Sequence, residues 1–186
     1  MRITYRQMPP TSVFYARANG PYASSCVEAW QRLDAWLDRY CARGRARRAF
    51  GIFHDNPRTT PPELLRYDAC VPLAACAELE PDEGIGRQTL PTGTWAVYTH
   101  VGPHREAGNV ISTLLSDLIP TRGLTVDYDR TILAVYLNDP RVTREAHRRT
   151  ELCIPVIPIS TQGSDTTQEE EPRSPATWHS STSAKR

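Results

Sequence analysis

The chain carries 21 acidic residues and five histidines whose side chains are suited to acid–base chemistry. Glu151 falls on a predicted strand, where in a pocket it would act as a general base or hold a ligand. On a strand edge it would instead face water or pair with an arginine, and the sequence leaves both readings open. His54, His100 and His104 belong to no motif, and a histidine beside a turn is more often a hydrogen-bonded structural group. We therefore keep Glu151 as the one catalytic candidate and predict no metal ion and no cofactor.

Aromatic side chains offer a different chemistry, which is the binding of a flat organic compound. Side chains alternate between the two faces of a strand, so Tyr136 shares a face with Ala134, and Phe53 holds the matching place in an earlier strand. Trp30 and Trp36 are about 240° apart around a helix, so they cannot share a face, and we assign Trp30 to the core. The predicted ligand-binding residues are Tyr22, Trp36, Phe53, Trp95, Ala134, Tyr136 and Glu151.

The cysteines do not indicate a disulfide framework. They number five, which is odd, and no two form a Cys-x-x-Cys pair. The chain also starts without the apolar core of a signal sequence, and a reduced cytoplasmic setting is the expectation. We predict buried thiols at Cys26, Cys41, Cys70, Cys76 and Cys153.

Composition excludes some classes of partner. The formal net charge is +1, whereas a protein that binds DNA through its overall field is usually far more basic. No apolar run approaches the roughly 20 residues of a membrane-spanning helix. A string of arginines would contact an acidic partner or, more often, complement a helix dipole in solvent; it comprises Arg39, Arg43, Arg45, Arg47 and Arg48.

The composition changes near residue 160. Residues 160–186 are rich in Ser, Thr, Gln, Glu and Pro and nearly lack aliphatic side chains, with Trp178 as the one large apolar residue. Such a segment cannot bury enough apolar surface to offset the entropy of ordering it. We predict a disordered tail over 160–186, after a domain that spans residues 1–157.

The domain is an internal repeat with an offset of 82 or 83 residues. Five blocks match in register, and repeats are a primary signal of architecture. We place repeat one at residues 1–75 and repeat two at 84–157. The matched blocks are Met8-Pro9 with Leu90-Pro91, Gly20-Pro21-Tyr22 with Gly102-Pro103-His104, Phe50–Phe53 with Leu133–Tyr136, Pro57-Arg58 with Pro140-Arg141, and Cys70–Leu73 with Cys153–Val156.

Each repeat predicts strands around one long helix. Apolar residues recur at three- and four-residue steps over Tyr22–Arg43 and His104–Ile119, which is typical of amphipathic helices. Gly44 would end the first helix. The predicted fold is α+β, with two pseudo-two-fold-related units and an antiparallel sheet that leaves a ligand groove along its axis. The predicted strands are Ile3–Met8, Val13–Arg17, Phe50–His54, Tyr67–Leu73, Gly86–Leu90, Thr94–His100, Ile132–Leu137 and Thr150–Val156.

Several motifs, in order along about residues 1–157, resemble the GyrI-like small-molecule-binding domain family. No single motif is decisive, but their order makes the resemblance specific. They are Gly20-Pro21-Tyr22, Ala29–Leu33 with Trp36-Leu37, Gly51–Pro57, Leu65–Ala69, His100–Pro103, Val135–Pro140 and Thr150–Val156.

The resemblance implies three functions. Family members include effector domains of AraC-type and MerR-type regulators, stand-alone relatives of the gyrase inhibitor, and some hydrolases of cyclopropane-bearing alkylators. The chain has no room for a helix-turn-helix before Ile3, so it resembles the stand-alone type. We expect a protein that binds a hydrophobic or amphipathic compound for sequestration or sensing, with modulation of DNA gyrase and hydrolysis of reactive xenobiotics as the alternatives.

The sequence departs from the family pattern at Ala134. Members usually place a glutamate two residues before the strand tyrosine, where a carboxylate suits a cationic ligand. Alanine neither attracts a cation nor moves a proton, so the departure favours neutral apolar ligands and favours a binding protein over an enzyme. A second departure is His104, where the first repeat has Tyr22.

Overall fold

The computed structural model describes residues 1–40, 48–75 and 77–158. Some sequence predictions therefore fall outside the described residues. These are the helix-ending Gly44, the thiols of Cys41 and Cys76, Arg43, Arg45 and Arg47 of the arginine string, and the segment 160–186 with Trp178.

The strands follow the repeat. The first repeat supplies β1 (Thr4–Met8), β2 (Thr11–Asn19), β3 (Ala49–Phe53) and β4 (Arg66–Pro72). The second supplies β5 (Ile85–Leu90), β6 (Gly93–Val101), β7 (Leu124–Val126), β8 (Ile132–Tyr136) and β9 (Arg149–Pro158). All eight predicted strands are present, and the short β7 is the one that the sequence did not indicate.

The two repeats share one antiparallel sheet, in which they exchange their first strands. The order is β1-β6-β9-β8-β3-β4-β2-β5, and β7 pairs with β9. Strand β1 pairs with β6 of the second repeat, and β5 pairs with β2 of the first. The α+β prediction is confirmed, with each half built partly from the other.

The pseudo-two-fold axis passes between β3 and β8 at the centre of the sheet. Gly51 lies opposite Ala134, and these two residues are equivalent in the repeat. Phe53 and Tyr136, which are also equivalent, lie at opposite ends of this strand pair and on the face that carries Ala134. The centre of the sheet is therefore where side chains from both repeats meet.

The first helix, α1 (Tyr22–Arg39), packs on β2 and β4. Its start fits the Gly20-Pro21 turn, since Gly20 has a φ of 118° that an L side chain rarely adopts. The helix buries one continuous face against the sheet. The buried residues are Ser25, Ala29, Leu33, Trp36 and Leu37.

The second helical range is divided into three parts. A 3₁₀ turn at His104–Glu106 leads into α2 (Ala107–Thr113), and a π-helical turn at Leu114–Leu118 follows. Gly108 and the β-branched residues around it are weak helix formers, so the α-helical part is short. The backbone N–H of Ile119 then donates to the carbonyl of Leu114 at 3.1 Å, which closes the wider π turn before Pro120.

The sheet face away from the helices carries a second apolar core and a buried ionic cluster. Asp68 on β4 has no exposed surface. Its carboxylate accepts hydrogen bonds from Nε and Nη2 of Arg17, at 2.6 and 2.8 Å. His54 and Gln88 complete the cluster at 2.7 and 2.8 Å. Burial alone would raise the pKa of Asp68, but the hydrogen bonds from Arg17, His54 and Gln88 outweigh it and lower the pKa to about 2.

Candidate functional site at the seam between the repeats

Aromatic rings from both repeats meet on the helix face of the sheet, over the pseudo-two-fold axis. We call this cluster the seam. Its floor is Phe53, Tyr67 and Tyr136, and its walls are Tyr22 and Trp30 from α1 and His104 from the turn before α2. The rings are in edge-on or tilted contact, with centroid distances of 5.0 Å for Tyr22–Phe53, 5.1 Å for Phe53–Tyr67, 5.5 Å for Trp30–Tyr136 and 5.0 Å for His104–Tyr136.

Hydrogen bonds fix the floor of the seam. The hydroxyls of Tyr67 and Tyr136 lie 2.9 Å apart, and the indole N–H of Trp30 donates to the Tyr67 oxygen at 3.0 Å. Gly51 leaves the room for this pair, because a Cβ there would lie 2.3 Å from the Tyr67 oxygen. Burial raises the pKa of Tyr136 to about 12 and raises the pKa of Tyr67 well above its usual value. Both phenols are therefore neutral at physiological pH, and the floor offers ring faces and neutral hydroxyls.

One row of α1 faces the seam rather than the core. Tyr22, Cys26 and Trp30 follow one another at four-residue steps, and all three are half-buried. The buried face that includes Ser25, Ala29 and Leu33 lies beside this row. The helix thus presents one row to the sheet and a neighbouring row to the second repeat.

The structure brings together four of the predicted ligand-binding residues, namely Tyr22, Phe53, Ala134 and Tyr136. It places the other three elsewhere. Trp36 is fully buried against Phe14, with the ring centroids 4.9 Å apart. Trp95 is fully buried in the core of the opposite sheet face, beneath the guanidinium of Arg130.

Glu151 also lies on the opposite face. Its carboxylate accepts two hydrogen bonds from Arg6, at 2.8 and 3.0 Å. Of the two alternatives for Glu151, the structure therefore has the pair with an arginine. Glu151 is the repeat equivalent of Asp68, and Arg6 on β1 is the equivalent of Gln88 on β5. Each exchanged strand therefore holds the acid of the half that it enters.

Sequence reasoning missed three residues of the seam, namely Trp30, Tyr67 and His104, the last of which was noted only as a departure from Tyr22. Trp30 was assigned to the core and Trp36 to the groove, and the structure has them the other way round. The 22, 26, 30 spacing was the signal that would have found Trp30. Tyr67 was overlooked because its repeat equivalent is Thr150, so the repeat gave it no aromatic partner.

The expected open groove is filled at its centre by the rings themselves. A bound compound must lie above the half-buried faces of Trp30 and Tyr136 or displace one of the rings. A surface depression of about 450 Å³ lies elsewhere, at the edge of the second repeat. It is lined mainly by aliphatic residues of the π-helical turn, β7 and the end of β9, with the exposed Tyr128.

Comparison with known proteins identifies the fold and the family. The model of the GyrI-like small molecule binding domain matches residues 1–157. The chain belongs to the GyrI-like family. A DNA gyrase inhibitor of Edwardsiella piscicida is 31% identical over 99 residues, which are 52% of this GyrI-like chain and 62% of the relative. The match thus spans less than two thirds of that relative.

Solved structures share the GyrI-like fold at low sequence identity. The C-terminal domain of EcmrR superimposes with a TM-score of 0.65 at 15% identity, covering 84% of this chain and 98% of that domain. The protein SAV2435 bound to tetraphenylphosphonium superimposes with a TM-score of 0.58 at 12% identity, covering 84% and 94%. Within the described part of the chain, neither helix combines the length and hydrophobicity of a bilayer-crossing segment.

Proposed function

We propose that this GyrI-like domain, residues 1–157, binds a small hydrophobic or amphipathic aromatic compound against the seam, for sequestration or sensing. The observation that carries the proposal is the meeting of half-buried rings from both repeats over the pseudo-two-fold axis. Trp30 and Tyr136 belong to different repeats, and their rings are in edge-on contact with centroids 5.5 Å apart. Flat compounds gain both buried apolar area and favourable ring contacts in such a place.

The seam is a better candidate than the depression beside Tyr128. The depression is shallow, lies in one repeat and is lined mainly by aliphatic side chains. The seam combines aromatic faces with a few fixed hydroxyls, which is the usual composition of an orienting ligand site. SAV2435, which shares the fold, is bound to the aromatic cation tetraphenylphosphonium.

Ala134 directs the expected ligand away from cations. It is buried at the centre of the seam floor, where the family resemblance places a glutamate. Glu151 does not replace this acid, since it lies on the other face in a pair with Arg6. We therefore expect neutral or electron-rich aromatics to bind better than cationic dyes such as rhodamine 6G, and we do not propose hydrolysis.

Replacing Trp30 with alanine tests the seam directly. We expect the affinity for a neutral aromatic such as 2-naphthylmethanol to fall by about 2 kcal/mol, or roughly thirty-fold, because a central aromatic contact is lost. Calorimetric titration of the full chain measures the dissociation constant. The fold should persist, since Trp30 is half-buried on a helix surface, and thermal unfolding checks this.

The matched control is Tyr128→Ala, which removes an exposed ring from the competing depression. It should leave the affinity unchanged. If Tyr128→Ala weakens binding and Trp30→Ala does not, the ligand lies in the depression and the proposed site is wrong. If neither neutral aromatics nor rhodamine 6G bind the wild-type chain, the proposed function is wrong.

A second candidate is modulation of DNA gyrase. It is favoured by the 31% identity to a protein named DNA gyrase inhibitor. A supercoiling assay with purified gyrase tests it, and an unchanged rate at excess protein would rule it out. The two functions are separable, because Trp30→Ala should weaken ligand binding and leave any effect on gyrase intact.

A further inference from the structure

Three buried polar atoms lie together at one end of the seam without a hydrogen-bond partner among the described residues. They are Oγ1 of Thr150, Nε2 of His104 and Nε of Arg148. Thr150 is almost fully buried, at 1% exposure. A buried polar atom without a hydrogen-bond partner lowers the stability of the fold. A group of three such atoms in one place therefore needs an explanation.

Thr150 and His104 lie beside the same ring of the seam floor, Tyr136, and Arg148 lies near His104. Thr150 on β9 lies directly opposite Tyr136 on β8, so the two side chains are on one face. The ring of His104 lies 5.0 Å from the ring of Tyr136. Arg148 lies between the Glu145–His147 turn and β9, and its charge acts on the ring of His104.

Other contacts fix Arg148 and leave its Nε unused. Its Nη2 donates to the carbonyl of Pro140 at 3.0 Å, and its Nη1 reaches Glu145 at 3.4 Å. The carboxylate of Glu145 is also held by Arg105 at 2.7 Å. Burial, followed by the charges of Arg148 and His100, lowers the pKa of His104, which favours the neutral form of this ring.

The first repeat shows that these atoms are not required by the fold. Identical backbone bonds, Gly20 to Leu65 at 2.8 Å and Gly102 to Arg148 at 2.9 Å, align the two halves. The equivalents of Arg148, Thr150 and His104 are Leu65, Tyr67 and Tyr22. Tyr67 is bonded to Trp30 and Tyr136, and Tyr22 donates to the carbonyl of Asp55 at 2.7 Å. Both phenols of the first half are thus paired, whereas the second half has a histidine, a threonine and an arginine in place of the two tyrosines and the leucine.

Each of the three atoms can act as a hydrogen-bond donor. The Nε of arginine donates only, the threonine hydroxyl donates or accepts, and one tautomer of neutral histidine donates from Nε2. A carboxylate, with about four lone-pair sites, satisfies several donors at once and pairs well with a guanidinium. Ala134 leaves no acid at the centre of the seam floor to repel it.

We propose that the seam selects aromatic carboxylates, whose ring lies against Trp30 and Tyr136 and whose carboxylate accepts from Thr150, His104 and Arg148. The inference rests on the proposed function, since it specifies the ligand class of the same site. It also reverses the charge preference that a glutamate at position 134 would give.

Three naphthalene compounds of similar shape test this selectivity, namely 2-naphthoate, 2-naphthylmethanol and 2-naphthylmethylammonium. We expect 2-naphthoate to bind the full chain at least tenfold more tightly than the ammonium compound, with the alcohol between them. Thr150→Val, which keeps the side-chain shape, should weaken 2-naphthoate about tenfold and leave 2-naphthylmethylammonium unchanged. Thr89→Val, the same substitution at an exposed position on the edge strand β5, is the matched control and should not alter the ratio.

The outcomes separate the inference from the function on which it rests. Equal binding of the three compounds, or tighter binding of the ammonium compound, would overturn the carboxylate site while leaving an aromatic seam. The same holds if the advantage of 2-naphthoate survives in the double variant Thr150→Val/His104→Phe. If none of the three compounds binds, the proposed function itself fails.

Discussion

Replacing Asp68 with alanine is expected to lower the free energy of unfolding by about 3 kcal/mol, the lower end for a broken buried ion pair. The carboxylate is fully buried and holds Arg17, His54 and Gln88 together. Its removal leaves these donors without their acceptor. Arg17 is partly exposed and can be rehydrated, which keeps the loss from being larger. Urea denaturation of the two proteins measures the difference.

The repeat supplies a control for this prediction. Glu151 is the equivalent of Asp68, but its partner Arg6 is 44% exposed at the side chain, so Glu151→Ala should cost about 1 kcal/mol or less. If the two substitutions lower the free energy of unfolding equally, the buried Asp68 cluster does not stabilise the fold more than the Glu151–Arg6 pair, and the prediction is wrong. Both variants leave the seam intact, so ligand binding should not change in either.

The Asp68 cluster also has a pH signature. The pKa of Asp68 is about 2 in the folded chain and near 4 when unfolded, so its contribution is present above about pH 4 and is lost as the pH falls toward 2. The wild-type chain should therefore lose more stability over this range than Asp68→Asn. Parallel acid-unfolding curves for the two proteins would contradict the assignment.

Replacing Ala134 with glutamate should convert the seam into a cation site. Ala134 is 2% exposed, so the new carboxylate would be buried among rings and would need a positive partner, which a cationic ligand supplies. We expect the affinity for rhodamine 6G to rise at least about tenfold over the wild type, which is about 1.4 kcal/mol. Fluorescence anisotropy of the dye measures it.

Ala134→Gln controls for the size of the new side chain. It disturbs the packing of the seam as glutamate does, but it carries no charge, so it should not increase rhodamine 6G binding. If glutamine and glutamate have the same effect, the change comes from opened space rather than charge. The electrostatic role assigned to position 134 would then be wrong.

Much of the fold was predictable because the same turn, strand and helix patterns occur in both repeats. Matched turns, strands and the Gly-Pro helix starts defined both halves, and the alternation along Ile132–Tyr136 placed Ala134 and Tyr136 on one face. Pairing was not predictable in the same way. Nothing in β1 or β5 alone states that it pairs with the other repeat, since strand exchange depends on the assembled sheet.

The candidate site was predictable only in part. Phe53 and Tyr136 followed from strand alternation. The positions of Trp30 and Trp36 were assigned the wrong way round, because the apolar residues of a helix do not reveal which row faces the second repeat. Trp95 and Glu151 were misplaced for a related reason. A strand pattern assigns residues to two faces, but it does not state which face carries the helices. The unpaired atoms of Thr150 and Arg148 become visible only when burial is known.

The most direct test of the seam as a ligand site is a crystal structure of the chain with 2-naphthoate. The ring is expected within about 4 Å of both Trp30 and Tyr136, in contact with the two repeats at once. A naphthalene ring bound in the depression beside Tyr128, with the seam unchanged, would contradict the account.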